Sequence, residues 1–370
     1  MKMIINFLLL ITTLSCTDRP IPHAVNGLDS ITSPLDESQL DLIYEKSKIF
    51  PENTQLALGV IRGGKVDFFG VQRVNDTIYP IDNQKSIFEI GSITKVFNAT
   101  LLAQMAAEGK VDVNAPIQEY LDYSLAIDTE ITFQQLANHT SGLPRLPSNM
   151  NFLFSDPKNP YKSYDSAKLR EYLTEKMELK NAPGETYEYS NLGAGLLGDL
   201  LSELSNSTYE DLLHQYIFSK YGMHSSTTDR SKFESGFVFG LDVQGKETPF
   251  WDFQALKGLG AMLSTVEDLS RFALVQFDEH DEVIRLTQKP TFTLNDQTKV
   301  GLGWHILTLS NDREVIWHNG GTGGFTSSMG LDLELGNGVI ILSNVSAYHK
   351  DSKNIDALCF ELIKTLINEE

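Results

Sequence analysis

The chain is 370 residues long, 41% hydrophobic and 21% charged, and its 30 Lys and Arg against 49 Asp and Glu leave a net charge of −19. That composition is too apolar for a disordered chain and supplies about two domain-sized units. The acidic excess, with no basic patch to offset it, excludes nucleic acid as a partner. Two cysteines, Cys16 and Cys359, are too few for a disulfide framework or a cysteine zinc site, which leaves a soluble globular enzyme or binding protein.

In chain order, Lys2 precedes the apolar run Ile4–Ile11 and the small residues Thr12–Ser15, a secretory leader too short to span a membrane. The boundary at Cys16 resembles the lipobox of bacterial lipoproteins, although Thr13 replaces the usual aliphatic residue; ordinary signal cleavage nearby is the alternative. The resemblance implies a lipid on Cys16 and a bacterial cell-envelope protein facing the periplasm or the cell surface. Residues 17–37, with Pro20, Pro22, Gly27 and Pro34, read as a tether.

Residues 38–48 then predict an amphipathic helix, and Gln55–Val71 a hairpin turning at Arg62–Lys65. A helix runs from about Ser92 to Glu108 and stops at Gly109. Residues 110–230 are mostly helical, with candidates at 163–178 and 192–205 and a Pro-containing loop at 142–161. Short alternating runs return at 300–309, 314–317, 327–333 and 338–343, before a C-terminal helix whose apolar stripe from Ile355 to Ile367 includes Cys359 as packing. The expected fold is α/β (α+β): an antiparallel sheet flanked by N- and C-terminal helices, with a mostly helical part inserted. The α/β part covers about 38–95 and 231–370, the helical part about 96–230, and together they form one unit over 38–370.

Three segments carry chemistry. Ser92 opens a helix where free N–H groups and the dipole favour negative charge, and Lys95 lies one turn on along the same face. An amine held beside a hydroxyl in a desolvated cleft can lose its proton and serve as a base. An N-capping serine is the plain alternative. The spacing also recurs at Ser155–Lys158, where Pro157 opposes a regular helix. Tyr189-Ser190-Asn191 follows a turn and precedes a helix, placing a phenol where it can relay protons. In Trp317–Phe325 the glycines, among them Gly320 and Gly321, permit close approach of a substrate to a strand edge, while His318 alone reads as structural. No phosphate loop and no Gly-x-Ser-x-Gly elbow is present, and the eight histidines lack ligand spacing, so neither metal nor cofactor is expected.

The order of these segments, beginning at 92, 189 and 318, resembles the class C β-lactamase and DD-peptidase superfamily, the penicillin-binding-protein-like serine hydrolases. The phrases Leu136–Pro144 and Gly258–Leu269 are similar to its secondary motifs, and the resemblance covers about residues 38–368. It implies that Ser92 attacks a carbonyl to form an acyl-enzyme and that Lys95 and Tyr189 share the proton work. Asn191 would hold Lys95 and the substrate amide, and the N–H groups of Ser92 and Gly321 would form the oxyanion hole beside Gly320. His318 would line the cleft and help bind a carboxylate, and His139 would brace a loop. Thr94 and His318 depart from the class C lactamase pattern, which prefers serine or alanine and then lysine. The implied activity is β-lactamase-type amide hydrolysis, with D-Ala-D-Ala carboxypeptidase, esterase or D-aminopeptidase activity as alternatives within the superfamily. A non-catalytic penicillin-binding sensor is the alternative outside it. The expected partners are a small-molecule or peptide substrate and a membrane reached through the lipid anchor, with the protein a monomer.

Overall fold

The computed structural model describes residues 24–29, 31–150, 156–309 and 312–368. Its strands are β1 (Val25–Asn26), β2 (Gln55–Arg62), β3 (Lys65–Val74), β4 (Thr77–Ile81), β5 (Phe88–Glu89), β6 (Gly240–Leu241) and β7 (Glu247–Thr248). They continue as β8 (Leu263–Ser264), β9 (Phe292–Asn295), β10 (Thr298–Val300), β11 (His305–Thr308), β12 (Glu314–Gly321), β13 (Thr326–Asp332) and β14 (Asn337–Ser343). The α-helices are α1 (Glu37–Ser47), α2 (Thr94–Ala107), α3 (Phe133–Ala137), α4 (Ser166–Glu171) and α5 (Asn191–Leu204). After them come α6 (Tyr209–Leu213), α7 (Ser219–Tyr221), α8 (Val266–Val275), α9 (Glu282–Gln288) and α10 (Asn354–Asn368).

Ten strands form one sheet in the order β1-β4-β3-β2-β14-β13-β12-β11-β10-β9. Its pairings are antiparallel except that of β1 with β4, which is parallel. The β2–β3 hairpin turns on Gly63 and Gly64, both at positive φ (51° and 78°), as a two-residue turn matched to strand twist requires. Strands β13 and β14 are buried at every residue because both faces of the sheet are covered. On one face, Ile43 of α1 and Ile355, Leu358, Cys359 and Leu362 of α10 pack against Leu58, Val60, Val339 and Ile341. On the other, α2, α5 and α8 share a larger core that includes Phe97 and Phe272, stacked at 4.1 Å. Asp36 caps α1 with a reciprocal contact from Gln39, an arrangement that contributes about 1 kcal/mol.

Two expectations need correction. The tether does not extend to residue 37: Ala24, Leu28 and Leu35 are buried in the core beneath α1, and β1 adds to the sheet edge. The strand does not stop at Trp317: β12 runs on through His318 to Gly321, the N-terminal half of the Trp317–Phe325 segment, and pairs with β13 over that length. Apolar alternation ends at Trp317, and only the partner strand shows that the ladder continues. The leader and Cys16 lie outside the described residues.

Candidate active site

A single 3-10 turn, Gly91–Ile93, delivers Ser92 to the start of α2. Gly91 has φ 51°, and a Cβ there would stand 2.5 Å from Gly321 N, so backbone conformation and close approach both demand glycine. Thr94 Oγ1 donates to Gly91 O at 2.7 Å and accepts from Met262 N–H at 3.2 Å, which ties the turn to the segment before β8. Every residue of α2 from Thr94 to Ala103 is buried. The first-turn lysine is therefore taken out of water, whereas Ser92 keeps partial exposure.

Lys95 Nζ donates to Ser92 Oγ at 2.9 Å and to Leu259 O at 2.6 Å, and it lies 4.9 Å from the centre of the Tyr189 ring. Burial, helped by the charge of Arg145, pushes its pKa well below the ordinary lysine value. The second anchor of Lys95 is thus the Leu259 carbonyl and not Asn191, with which it makes no hydrogen bond. The short stretch around Leu259 reaches Lys95 because Gly258 packs against Asn98 and Ala194, where any Cβ would come within 2.8 Å.

Ser190 explains the placement of its neighbours. Its Oγ caps α5 by accepting from Gly193 N–H at 2.9 Å and donates to Pro144 O at 2.7 Å, while its N–H donates to His139 Nδ1 at 3.2 Å. Tyr189 is left projecting toward Ser92 with its ring 4.4 Å from that of His139. Burial pushes the phenol up to about 12 against the opposing effects of its hydrogen bond with Ser92 and of Arg145. His139 braces this segment, as expected. Asn191 is 8% exposed, and its Oδ1 has no hydrogen-bond partner although the residue lines the cleft.

Gly320 and Gly321 bring β12 against the nucleophile turn. A Cβ on Gly320 would lie 1.9 Å from Ile90 O, and Ser327 Oγ of β13 donates to the same carbonyl at 2.8 Å. His318 departs from its expected position. It is 1% exposed, its Nδ1 pairs with Asn319 O at 2.6 Å, and it does not line the cleft. Burial, with His305 and Lys95 nearby, holds it neutral, so it offers no charge to a carboxylate.

The cavity over Ser92 has a volume of about 630 Å³ and is walled by Tyr161, Trp251, Leu259, Gly321 and Tyr348. Arg145 and Lys353 also line it, and neither makes an ion pair among the described residues. The Arg145 guanidinium lies 5.3 Å from the centre of the Tyr189 ring, and Asp356 lines the same cavity. Of these lining residues sequence reasoning singled out Gly321 but not Tyr161, Trp251, Tyr348, Arg145 or Lys353; the signal for Arg145 was a lone base directly after Leu143-Pro144. Of the second Ser-x-x-Lys, Ser155 lies outside the described residues and Lys158 is exposed in a turn. Among the described residues no group of His, Cys, Asp and Glu has the arrangement of a metal site.

A large sheet with helices on both faces and a Ser–Lys–Tyr cluster at its edge define the β-lactamase/DD-peptidase class of proteins. The sequence pattern of one family, described as Beta-lactamase, matches residues 51–360, and the chain belongs to that family. D-alanyl-D-alanine-carboxypeptidase/endopeptidase AmpH of Escherichia coli is 27% identical over 372 residues, covering 92% of this chain and 93% of AmpH. Protein flp of Staphylococcus aureus is 23% identical over 333 residues, or 84% of this chain, which spans 64% of the length of flp. Among solved structures, a β-lactamase/D-alanine carboxypeptidase from Yersinia pestis superposes with TM-score 0.73 at 24% identity, over 88% of this chain and 96% of that one. A class C β-lactamase from Rhodobacter sphaeroides superposes with TM-score 0.71 at 21% identity, over 89% and 98%. These likenesses establish the fold.

Proposed function

We propose that the protein is a serine acyl hydrolase that opens amide bonds of the D-alanyl-peptide or β-lactam type through an acyl-enzyme on Ser92. The observation that carries this reading is the contact of a buried Lys95 amine with the Ser92 hydroxyl at 2.9 Å, with no carboxylate to hold the charge. With the amine neutral, Ser92 Oγ attacks the carbonyl carbon and its proton passes to Lys95 Nζ. The oxyanion is met by the N–H groups of Ser92 and Gly321, a contribution of about 3 kcal/mol per donor. Collapse breaks the C–N bond, and the leaving nitrogen takes a proton relayed through the Tyr189 hydroxyl. Water then repeats the sequence in reverse to release the acid.

Arg145 and Lys353 at the mouth suit a substrate with a free carboxylate, and the match to AmpH over nearly its whole length favours a D-alanyl peptide. The direct test compares a chromogenic cephalosporin, a D-Ala-D-Ala peptide and a p-nitrophenyl ester with wild type, Ser92→Ala and Ser155→Ala proteins. Turnover of the peptide or cephalosporin that is lost only in Ser92→Ala is expected. Turnover of the ester alone would refute the amide reading, and stable penicillin labelling without product would mark a sensor. For location, the Met1–Cys16 segment supports a lipid-anchored envelope protein, which labelling with a radioactive fatty acid would detect and Cys16→Ala would remove.

A further inference from the structure

Glu89 is 4% exposed, lies three residues before Ser92, and has no part in the chemistry described so far. Its two oxygens meet donors from distant parts of the chain. Thr322 Oγ1 donates to Oε2 at 2.5 Å, and the Trp251 backbone N–H donates to Oε1 at 2.5 Å. Both partners flank the cleft. Thr322 directly follows Gly321, and Trp251 walls the cavity with its indole over Gly323, where an added Cβ would sit 3.0 Å from Nε1. The same turn is clamped on its far side, since Gly324 packs against Gly240 and Thr248 of the β6–β7 hairpin.

We propose that Glu89 is a positioning residue whose ionised carboxylate ties the strand entering the nucleophile to the turn after Gly321 and to the Trp251 wall. The tie fixes the oxyanion donor and the aromatic wall relative to Ser92, and it rests on the reading of Ser92 as the nucleophile. With the carboxylate ionised, both oxygens are pure acceptors and meet the two converging donors without either partner having to turn. The bonds are charge-assisted, and this offsets part of the cost of burying a carboxylate. The charged groups facing it are Arg230 and Asp252, which pair with each other. Burial pushes the Glu89 pKa up to about 7, with Thr322, Trp251 and Arg230 opposing and Asp252 assisting. A proton on Oε1 would set O–H against the Trp251 N–H, and one on Oε2 would force Thr322 to reverse its hydroxyl. The first opens the contact with the Trp251 wall, and the second replaces a charge-assisted bond to Thr322 with a weaker neutral one.

The test is the pH profile of kcat and KM for p-nitrophenyl acetate hydrolysis by wild type, Glu89→Gln, Glu89→Ala and Ser92→Ala proteins. In wild type, kcat is expected to fall severalfold as pH drops through about 7, with KM changing less. Glutamine keeps an acceptor for Trp251 N–H and cannot titrate, so Glu89→Gln should lose that limb while retaining any limb due to Lys95. Glu89→Ala loses both bonds and should lower kcat about tenfold above pH 7, in proportion to the misplacement of the oxyanion donor. A Glu89→Gln profile that superposes on wild type overturns the proposal, even if Glu89→Ala fails to fold. Wild-type kcat in a folded Glu89→Ala protein overturns it equally. Turnover surviving in Ser92→Ala would instead refute the nucleophile.

Discussion

Lys95 is held where charge is expensive and a hydroxyl is within reach, and that combination is the ground for proposing Ser92 as a nucleophile. The ammonium finds one carbonyl and one hydroxyl but no anion, so its proton is loosely held. Tyr189 is shifted the opposite way, up to about 12, because burial penalises phenolate as it penalises ammonium. The amine is pushed toward its neutral form while the phenol stays neutral, which on the proposed reading favours the amine for the first proton transfer. Arg145 acts on both. Its positive charge lowers the pKa of Lys95 and of Tyr189, so Arg145→Ala should raise both values. The acidic and basic limbs of kcat should then move to higher pH by about 0.3 unit, a small amount because Arg145 is exposed and screened. A titration of the variant at low salt checks this, and a downward shift of either limb would contradict it. At this scale the sequence disclosed the clustered hydroxyl, amine and phenol by type and order, but not Arg145 or the Leu259 carbonyl, which reach the site only through folding.

At the scale of elements, the site is a junction of the α2 start, the α5 start and the edge formed by β12. Each is placed by a local device readable in part from sequence. Ser190 caps α5 and so aims Tyr189, and Gly91 permits the turn that presents Ser92. Gly320 sets the spacing between β12 and the nucleophile turn. Gly320→Ala would put a methyl group 1.9 Å from Ile90 O, and β12 would have to retreat. A cost of about 1–3 kcal/mol in stability is expected. The displaced Gly321 N–H should lower kcat by about a hundredfold with much less change in KM. Urea melts and steady-state kinetics of the variant measure the two effects, and unchanged kcat would show that β12 gives no oxyanion donor. The strand character of His318–Gly321 escaped sequence reasoning because glycine and asparagine carry weak strand preference. The cleft-wall position of His318 was implied by the family resemblance, whereas the residue is buried at 1% exposure, in keeping with its plain structural reading.

The whole molecule explains why distant motifs meet. Strands from both ends of the chain, β2 and β14, pair at the centre of the sheet, and the helical segment between them closes over one face. Period-two alternation and the two terminal helices made that plan legible, as did the Gly63-Gly64 hairpin. The packing of Ala24, Leu28 and Leu35 was not legible, because Pro and Gly nearby read as linker while three scattered apolar residues show no period. The measurement that bears most directly on the convergence of Ser92, Lys95 and Tyr189 is intact-mass spectrometry with peptide mapping after incubation with a β-lactam. A single adduct on the peptide containing Ser92, absent in Ser92→Ala and slowed in Lys95→Ala and Tyr189→Phe, is predicted. An adduct on any other residue, or one that survives in Ser92→Ala, would contradict the account.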